Sequence, residues 1–301
     1  MHGLLLIDKP AGMTSHDVVR QVRRICRTKK VGHAGTLDPM ATGVLPVAVG
    51  EGTKILQFLL ADDKSYRATL QFGITTDTLD AEGKILLQRP VPTDILDNIE
   101  SVCGHFRGDI EQIPPMYSAL KKNGVPLYKL ARNGQTVERE PRQVRIDRLE
   151  IIATQLPELT IEIDCSKGTY IRTLAADIGE ELSCGAHLTA LRRLRCGNYS
   201  IDDCISLKEL ALQADDSVAM LSLDQALTVY PAVQVLSQAR SKLTCGVPPE
   251  CAETSSEREL RAGELVRLQI DKKLAAMARY APLRECEKRG DFELVRVFVG
   301  Q

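Results

Sequence analysis

Between Asp17 and Glu51 the chain carries one acidic residue, Asp38, and it stands inside the run Gly32-His33-Ala34-Gly35-Thr36-Leu37-Asp38-Pro39-Met40-Ala41-Thr42-Gly43-Val44-Leu45. Three glycines and a proline break both helix and regular strand, so the run reads as a shaped loop. It leads into Val44-Leu45-Pro46-Val47-Ala48-Val49, whose apolar content suits a strand. A lone carboxylate with a proline after it and a histidine five residues before it suits two tasks. Ionised, it can serve as a nucleophile or a general base. It can equally cap backbone N–H groups in a turn ahead of Pro39. The loop by itself leaves both open.

The elements that must hold this loop lie on either side. Residues 4–7 read as a strand, and Ala11-Gly12-Met13 as a turn. Thr14 and Asp17 resemble a capping box, with Asp in place of Glu or Gln. Val18, Val19, Val22, Ile25 and Cys26 then recur at helical spacing, with Arg20, Arg23, Arg24 and Arg27 on the other face. Tyr66, Ala68, Leu70 and Phe72 share one face of a strand, and Arg67, Thr69 and Gln71 the other. The acidic stretch 75–83 lacks the order of an EF-hand loop and reads as a plain turn. A helix is expected over 93–103, irregular chain over 104–122, and a mobile, basic, turn-rich insertion over 123–140. Leu159, Ile161, Ile163 and Cys165 alternate as a strand. Ser166-Lys167-Gly168 breaks it, and Leu174, Ile178 and Leu182 then mark one face of a helix. Residues 206–214 and 222–227 look helical. After Tyr230-Pro231 the composition shifts, and strand-like runs at 263–270, 274–280 and 292–299 suggest a small β-rich appended domain.

The chain has 301 residues, 44% apolar and 26% charged, enough for one large or two medium globular domains. No apolar run reaches membrane-spanning length. The N-terminus lacks the basic region of a signal peptide. Nine cysteines occur without a C-x-x-C pair or zinc spacing. These features lead to the expectation of a reducing, cytoplasmic setting with no membrane and no metal. The net charge of −1 hides a segregation. Residues 20–30 hold six bases and no acid, and residues 121–148 hold eight bases against three acids. Leu191-Arg192-Arg193-Leu194-Arg195 adds another basic cluster, whereas 201–237 holds six acids and one lysine. Such a pattern fits either a basic face for a polyanion or ordinary solvated helix faces.

Six segments now line up in order. They are Asp8-Lys9-Pro10-Ala11-Gly12-Met13-Thr14-Ser15, the loop around Asp38, Lys64-Ser65-Tyr66, and Pro115-Met116-Tyr117-Ser118-Ala119-Leu120-Lys121, then Ser166-Lys167-Gly168-Thr169-Tyr170-Ile171-Arg172 and Leu191-Arg192-Arg193. In content, order and spacing they resemble the TruB-type tRNA pseudouridine synthases, from about residue 2 to about residue 230. The tail resembles, more weakly, the PUA-type RNA-binding module of that family.

The resemblance implies an α/β (α+β) fold: a mixed, mainly antiparallel sheet flanked by helices, followed by a small β-rich PUA-like domain. It implies a catalytic domain over 1–230 with an RNA-binding insertion at about 114–143, and a second RNA-binding domain over 231–301. The implied reaction converts the uridine at position 55 of the tRNA T-loop into pseudouridine after base flipping, with no cofactor. Asp38 matches the essential aspartate, and Arg172 the arginine that pairs with it. Tyr66 matches the tyrosine stacked on the target base, although its strand face also suits core packing. Tyr170 matches a second active-site tyrosine, Leu191 an apolar residue near the base, and His33 the histidine that fills vacated space in the RNA loop. Lys9, Arg20, Arg23, Arg24, Lys64, Lys121, Arg192 and Arg193 are the expected RNA contacts, Lys9 alternatively supporting the turn. The expected partner is the tRNA T-arm, bound by a monomer without an obligate protein partner. Two rivals stand beside this reading: a guide-RNA-dependent synthase subunit, and a non-catalytic RNA-binding or RNA-folding module.

Overall fold

The computed structural model describes residues 1–59, 63–213, 220–282 and 290–298. β1 (Gly3–Lys9) leads to α1 (Ser15–Ile25), which starts as its sequence dictates. The Thr14 hydroxyl accepts from the Asp17 N–H, and the Asp17 carboxylate accepts from the Thr14 N–H. β2 (Val31–His33), the glycine-rich loop and β3 (Thr42–Val49) follow, then a 3-10 turn and α2 (Leu56–Leu59). β4 (Lys64–Phe72) runs into a small hairpin of β5 (Ile74–Thr76) and β6 (Ile85–Gln88). α3 (Ile95–His105) and β7 (Gly108–Gln112) precede the basic insertion. That insertion contains β8 (Lys121–Lys122), β9 (Val125–Pro126) and α4 (Leu127–Arg132). Next come β10 (Arg142–Gln155), β11 (Glu158–Cys165), α5 (Ile171–Glu181), β12 (Ala186–Cys196), β13 (Tyr199–Ser200) and α6 (Leu207–Leu212). The rest comprises β14 (Ala232–Val235), α7 (Arg240–Thr244), β15 (Thr254–Ser256), β16 (Leu265–Ile270), β17 (Lys273–Tyr280) and β18 (Phe292–Val297).

The first sheet has the order β1-β3-β12-β4-β11-β10-β7, with β2 added to β3 and β13 to β12. Its pairs are antiparallel except β12 with β3, which run parallel through Arg192↔Thr42 and Arg193↔Gly43. That contact needs glycine. Gly43 has φ +102°, and a Cβ there would lie 2.1 Å from the Arg193 carbonyl oxygen. The second sheet, β15-β14-β16-β17-β18, has one parallel pair, β14 with β16. The fold is thus the mixed, mainly antiparallel α/β arrangement expected, with a β-rich C-terminal part.

Three apolar clusters hold these layers. α3 and α5 cover one sheet face through Ile99, Leu174 and Ile178 against Leu70, Phe72 and Ile163. α1 and α6 cover β1 and β3 through Val18, Val22 and Leu210 against Leu5 and Val47. A third cluster joins Leu4, Leu6 and Ala48 to Leu274, Met277 and Phe298, so the second sheet packs on the first through continuous core. Burial of each such large side chain contributes about 2 kcal/mol. A polar joint reinforces the seam. Arg267 donates to Asp224 at 2.7 Å and to the Tyr230 carbonyl at 2.8 Å, and Gln269 donates to Asp224 at 2.6 Å.

Several expectations are corrected. Residues 108–112, expected to be irregular, form an edge strand whose pairing with β10 replaces the missing alternation. Residues 142–155 and 186–196, unassigned in the sequence reading, are strands; bulges interrupt their registers, and Arg193 occupies an inward position in the second. Only 225–227 of the stretch 222–227 is helical, as a 3-10 turn. The last residues of the expected helix 206–214 and strand 292–299 lie outside the described residues. Among the described residues no helix is long and apolar enough to cross a membrane.

Candidate active site

The loop between β2 and β3 is fixed by its backbone. Lys9, the last residue of β1, is fully buried and donates to the carbonyls of Pro10 at 2.9 Å, Pro39 at 3.2 Å and Ala41 at 2.6 Å. Arg193, 1% exposed on the central strand β12, donates to Val44 at 2.7 Å and Gly35 at 3.1 Å. The Ser15 hydroxyl donates to the Leu37 carbonyl and accepts from the Leu37 N–H. These contacts pin the loop on both sides of Asp38 and leave its side chain to project.

That side chain meets Arg172, which α5 presents from its first turn. Arg172 Nε lies 3.0 Å from Asp38 Oδ2, and Nη2 donates to Asp38 Oδ1 at 3.2 Å. Nη1 donates to Asp80 Oδ2 and to the Thr78 carbonyl, each at 3.1 Å, and Nη2 donates to the Tyr117 carbonyl at 2.8 Å. Nη1 and Nη2 donate four hydrogen bonds and Nε adds a close ion-pair contact, so the planar guanidinium is held on several sides and turns two of its nitrogens to Asp38. Arg172 and Asp80 are about 5% exposed, whereas Asp38 is 35% exposed. Of the three charged groups, the one in the loop faces solvent. Burial pushes the Asp38 carboxyl above its usual range; Arg172 opposes this, Asp80 adds to it, and Lys9 opposes it. The result is a desolvated carboxylate aimed by a fixed cation.

The surroundings are apolar. Tyr66 and Leu191, each 8% exposed, belong to the same cluster as Leu37 and Ala41, the residues flanking the Asp38-Pro39-Met40 tip. Burial pushes the Tyr66 phenol up to about 12, so it stays protonated. Tyr170 caps α5 at its N-terminus, and its phenol is pushed up by burial. His33 ends β2 in a half-buried position; burial and the charges of His16 and Arg193 lower its pKa and favour the neutral ring. Asp38, Arg172 and Tyr170 meet directly or through adjoining charge. Tyr66 and Leu191 share the apolar cluster that Leu37 and Ala41 join, and His33 belongs to the start of the loop.

Asp80 is the residue the sequence reading missed. The turn 75–83 is not merely a connection. It docks on β12, with the Leu79 carbonyl accepting from the Leu188 N–H and the Ala81 N–H donating to the Leu188 carbonyl. This buries Asp80 against Arg172, and the Thr78 hydroxyl donates to its second carboxylate oxygen. An acidic turn without metal-loop order looks like a solvated turn until a buried arginine is seen to need a second anion.

The expected RNA contacts divide. Arg20, Arg24 and Lys121 are exposed. Arg23 is half-buried and donates to the Val31 carbonyl. Lys9 and Arg193 are corrected: both are buried, Lys9 with its three donors and Arg193 with Nε and Nη2 on backbone carbonyls, so neither reaches a phosphate. Arg192 forms a bidentate pair with Asp8 at 3.1 and 2.8 Å and so links β12 to β1 across β3. Lys64, 9% exposed, lies beside Gly35. Among the described residues no cluster of His, Cys, Asp or Glu is arranged to hold a metal ion.

Residues 23–171 match the N-terminal domain model of the TruB family pseudouridylate synthases, and residues 172–228 match the tRNA pseudouridylate synthase B C-terminal domain. The chain is 48% identical over 300 residues to tRNA pseudouridine synthase B of Syntrophotalea carbinolica, covering 99% of this chain and 98% of the relative. It is 45% identical over 303 residues to the protein of the same name from Geotalea uraniireducens, again covering 99% and 98%. Among solved structures, a Cbf5–Nop10–Gar1 complex aligns with a TM-score of 0.75 at 27% identity, covering 98% of this chain and 84% of that one. An H/ACA RNP bound to a substrate RNA containing 2′-deoxyuridine aligns with a TM-score of 0.74 at 26% identity, covering 99% and 85%. On the sheet order, the loop geometry and these matches, the chain belongs to the TruB family of pseudouridylate synthases.

Proposed function

We propose that this chain converts the uridine at position 55 of the tRNA T-loop into pseudouridine, with Asp38 as the reacting carboxylate. One observation carries the reading: Asp38 is the half-exposed member of an otherwise buried charge cluster, held by an arginine that four hydrogen bonds fix in place. Relatives of nearly full length that carry the name tRNA pseudouridine synthase B support the substrate class.

The reaction is an isomerisation. The N1–C1′ bond breaks, the uracil turns within the site, and a C5–C1′ bond forms; N1 gains a proton and C5 loses one. No oxidant and no co-substrate enter. Asp38 serves as nucleophile, on the pyrimidine ring or the ribose, or as base toward a ribose proton. Each role needs the ionised form, which Arg172 favours against desolvation. The apolar cluster of Tyr66 and Leu191 offers a face on which a flat base can stack, and it excludes water from a reactive uracil anion. Tyr170 closes the side formed by α5. A uridine folded into a T-loop must be extruded to reach this depth, at a cost of a few kcal/mol. His33 suits the space that the base leaves. Arg20, Arg24 and Lys121 are the cations for the RNA backbone.

We assign chemistry to residues 1–230, with the insertion at about 114–143 gripping RNA, and RNA binding to the PUA-like residues 231–301. The protein works as a cytoplasmic monomer without a guide. The test is purified protein with unmodified tRNA, followed by mapping of pseudouridine. Conversion at position 55 without added guide RNA supports the proposal. Conversion only with a guide points to the guide-dependent rival, and binding without conversion to the non-catalytic one.

A further inference from the structure

We infer that Gln112 is a positioning residue for the Asp38–Arg172 pair, clamping the start of α5 and tying it to the root of the basic insertion. The inference rests on the catalytic reading of Asp38 above.

Gln112 ends β7 and is 2% exposed. Its carboxamide makes two bonds to one residue 58 positions away. Oε1 accepts from the Tyr170 N–H at 3.0 Å, and Nε2 donates to the Tyr170 carbonyl at 3.3 Å. Tyr170 is the N-cap of α5 and makes no side-chain cap of its own. The first N–H groups of a helix need outside acceptors. Gln112 supplies one, and its second bond fixes the orientation of the peptide carbonyl that also receives the Leu174 N–H at 3.1 Å. A primary amide has the required acceptor and donor side by side; an ionised Glu lacks the donor, and Asn is one methylene shorter.

A second tether begins five residues later. The Tyr117 carbonyl accepts from Arg172 Nη2 at 2.8 Å. Residues 112–117 are thus fastened at both ends to the first residues of α5. Pro114 and Pro115 lie between, and they restrict how the segment can bend. Arg139, near the far end of the insertion, donates to the Pro114 carbonyl at 3.0 Å. A pull on the insertion by bound RNA therefore reaches Tyr170 and Arg172 through a short, stiff connection. A displacement of about 1 Å at a reacting group can cost about a hundredfold in rate.

The test uses the full chain with tRNA and reads single-turnover rate at saturating protein together with tRNA Kd. Gln112→Met keeps the length of the side chain and removes both bonds. Gln112→Glu keeps the acceptor, loses the donor when ionised and regains an O–H donor when protonated. The expected result for Gln112→Met is a rate lowered about 30-fold or more with Kd changed less than about threefold. For Gln112→Glu the deficit relative to the unsubstituted protein grows as pH rises. A Gln112→Met protein at full rate, or one whose affinity falls as much as its rate, overturns the inference. If Gln112→Met does not fold, Gln112→Glu decides, and a deficit of the same size at every pH overturns it. Asp38→Asn is run beside them. Full activity there sinks the catalytic reading, whereas an inactive Asp38→Asn beside a fully active Gln112→Met sinks this inference alone.

Discussion

Two sets of buried cations hold the loop around Asp38, and they do so in opposite ways. At its base, Lys9 and Arg193 donate to five backbone carbonyls of neighbouring chain: Pro10, Pro39 and Ala41 for Lys9, Val44 and Gly35 for Arg193. At its tip, Arg172 binds two carboxylates, the half-exposed Asp38 and the buried Asp80, besides the carbonyls of Thr78 and Tyr117. The base cations satisfy neutral dipoles and fix shape. The tip cation neutralises and aims an anion. Residues of one charge type, brought to the same loop, therefore take up structural work in one place and chemical work in the other. The acceptor decides which.

The contrast can be broken by substitutions that separate rate from stability. The largest effect is expected at the tip. Arg172→Lys keeps the charge but loses the planar fork, so single-turnover rate, measured where the variant is fully folded, should fall about 10³-fold. A Lys variant with full rate would show that point charge suffices. The base should behave the other way. Lys9→Met removes three charge-assisted bonds from a buried site, and denaturant unfolding should show a loss of about 3 kcal/mol. A Lys9→Met protein of unchanged stability and strongly reduced rate would place Lys9 in the chemistry and collapse the distinction.

Asp80 sharpens the tip. Its carboxylate raises the Asp38 pKa, so Asp80→Asn should let Asp38 ionise at lower pH. The acid limb of the pH–rate profile should then move down. The rate on the plateau should fall about 30-fold, because Arg172 loses an anchor. An acid limb that moves up would mean that Asp38 is governed by something other than its two charged neighbours.

The smallest effect lies at the far half of α5. Burial, with help from Glu180, pushes Asp177 up to about 6. A carboxyl raised in the folded state binds its proton more tightly there than in the unfolded chain. Its contribution to stability is therefore lost as pH rises from about 4 through 6. Asp177→Asn should be more stable than the parent by about 1 kcal/mol at neutral pH, and equal to it below about pH 4. A gain that persists at acid pH would assign the effect to packing. Activity should be unchanged, which separates the two ends of one helix.

Much of this arrangement was legible in the sequence where local rules govern. The capping box at Thr14 and the alternation from Tyr66 to Phe72 depend on residues close together, and both appear as read. The basic cluster 191–195 shows the limit. Charge alone marked Arg192 and Arg193 as RNA contacts. The strand that carries them is central, so one side chain enters the interior and the other closes on Asp8. Strand position is a long-range property, fixed by the pairing of β12 with both β3 and β4. Asp80 was hidden for the same reason. Its partner lies 92 residues away, and only the docking of its turn on β12 buries it.

The most direct measurement of the central claim is the single-turnover rate of Asp38→Asn on unmodified tRNA, with tRNA affinity measured on the same preparation. The isosteric amide keeps the loop and removes the negative charge. The expected result is a rate lowered about 10⁴-fold or more with Kd within about threefold of the parent. Pseudouridine formed at the parent rate would contradict the assignment of Asp38 as the reacting carboxylate.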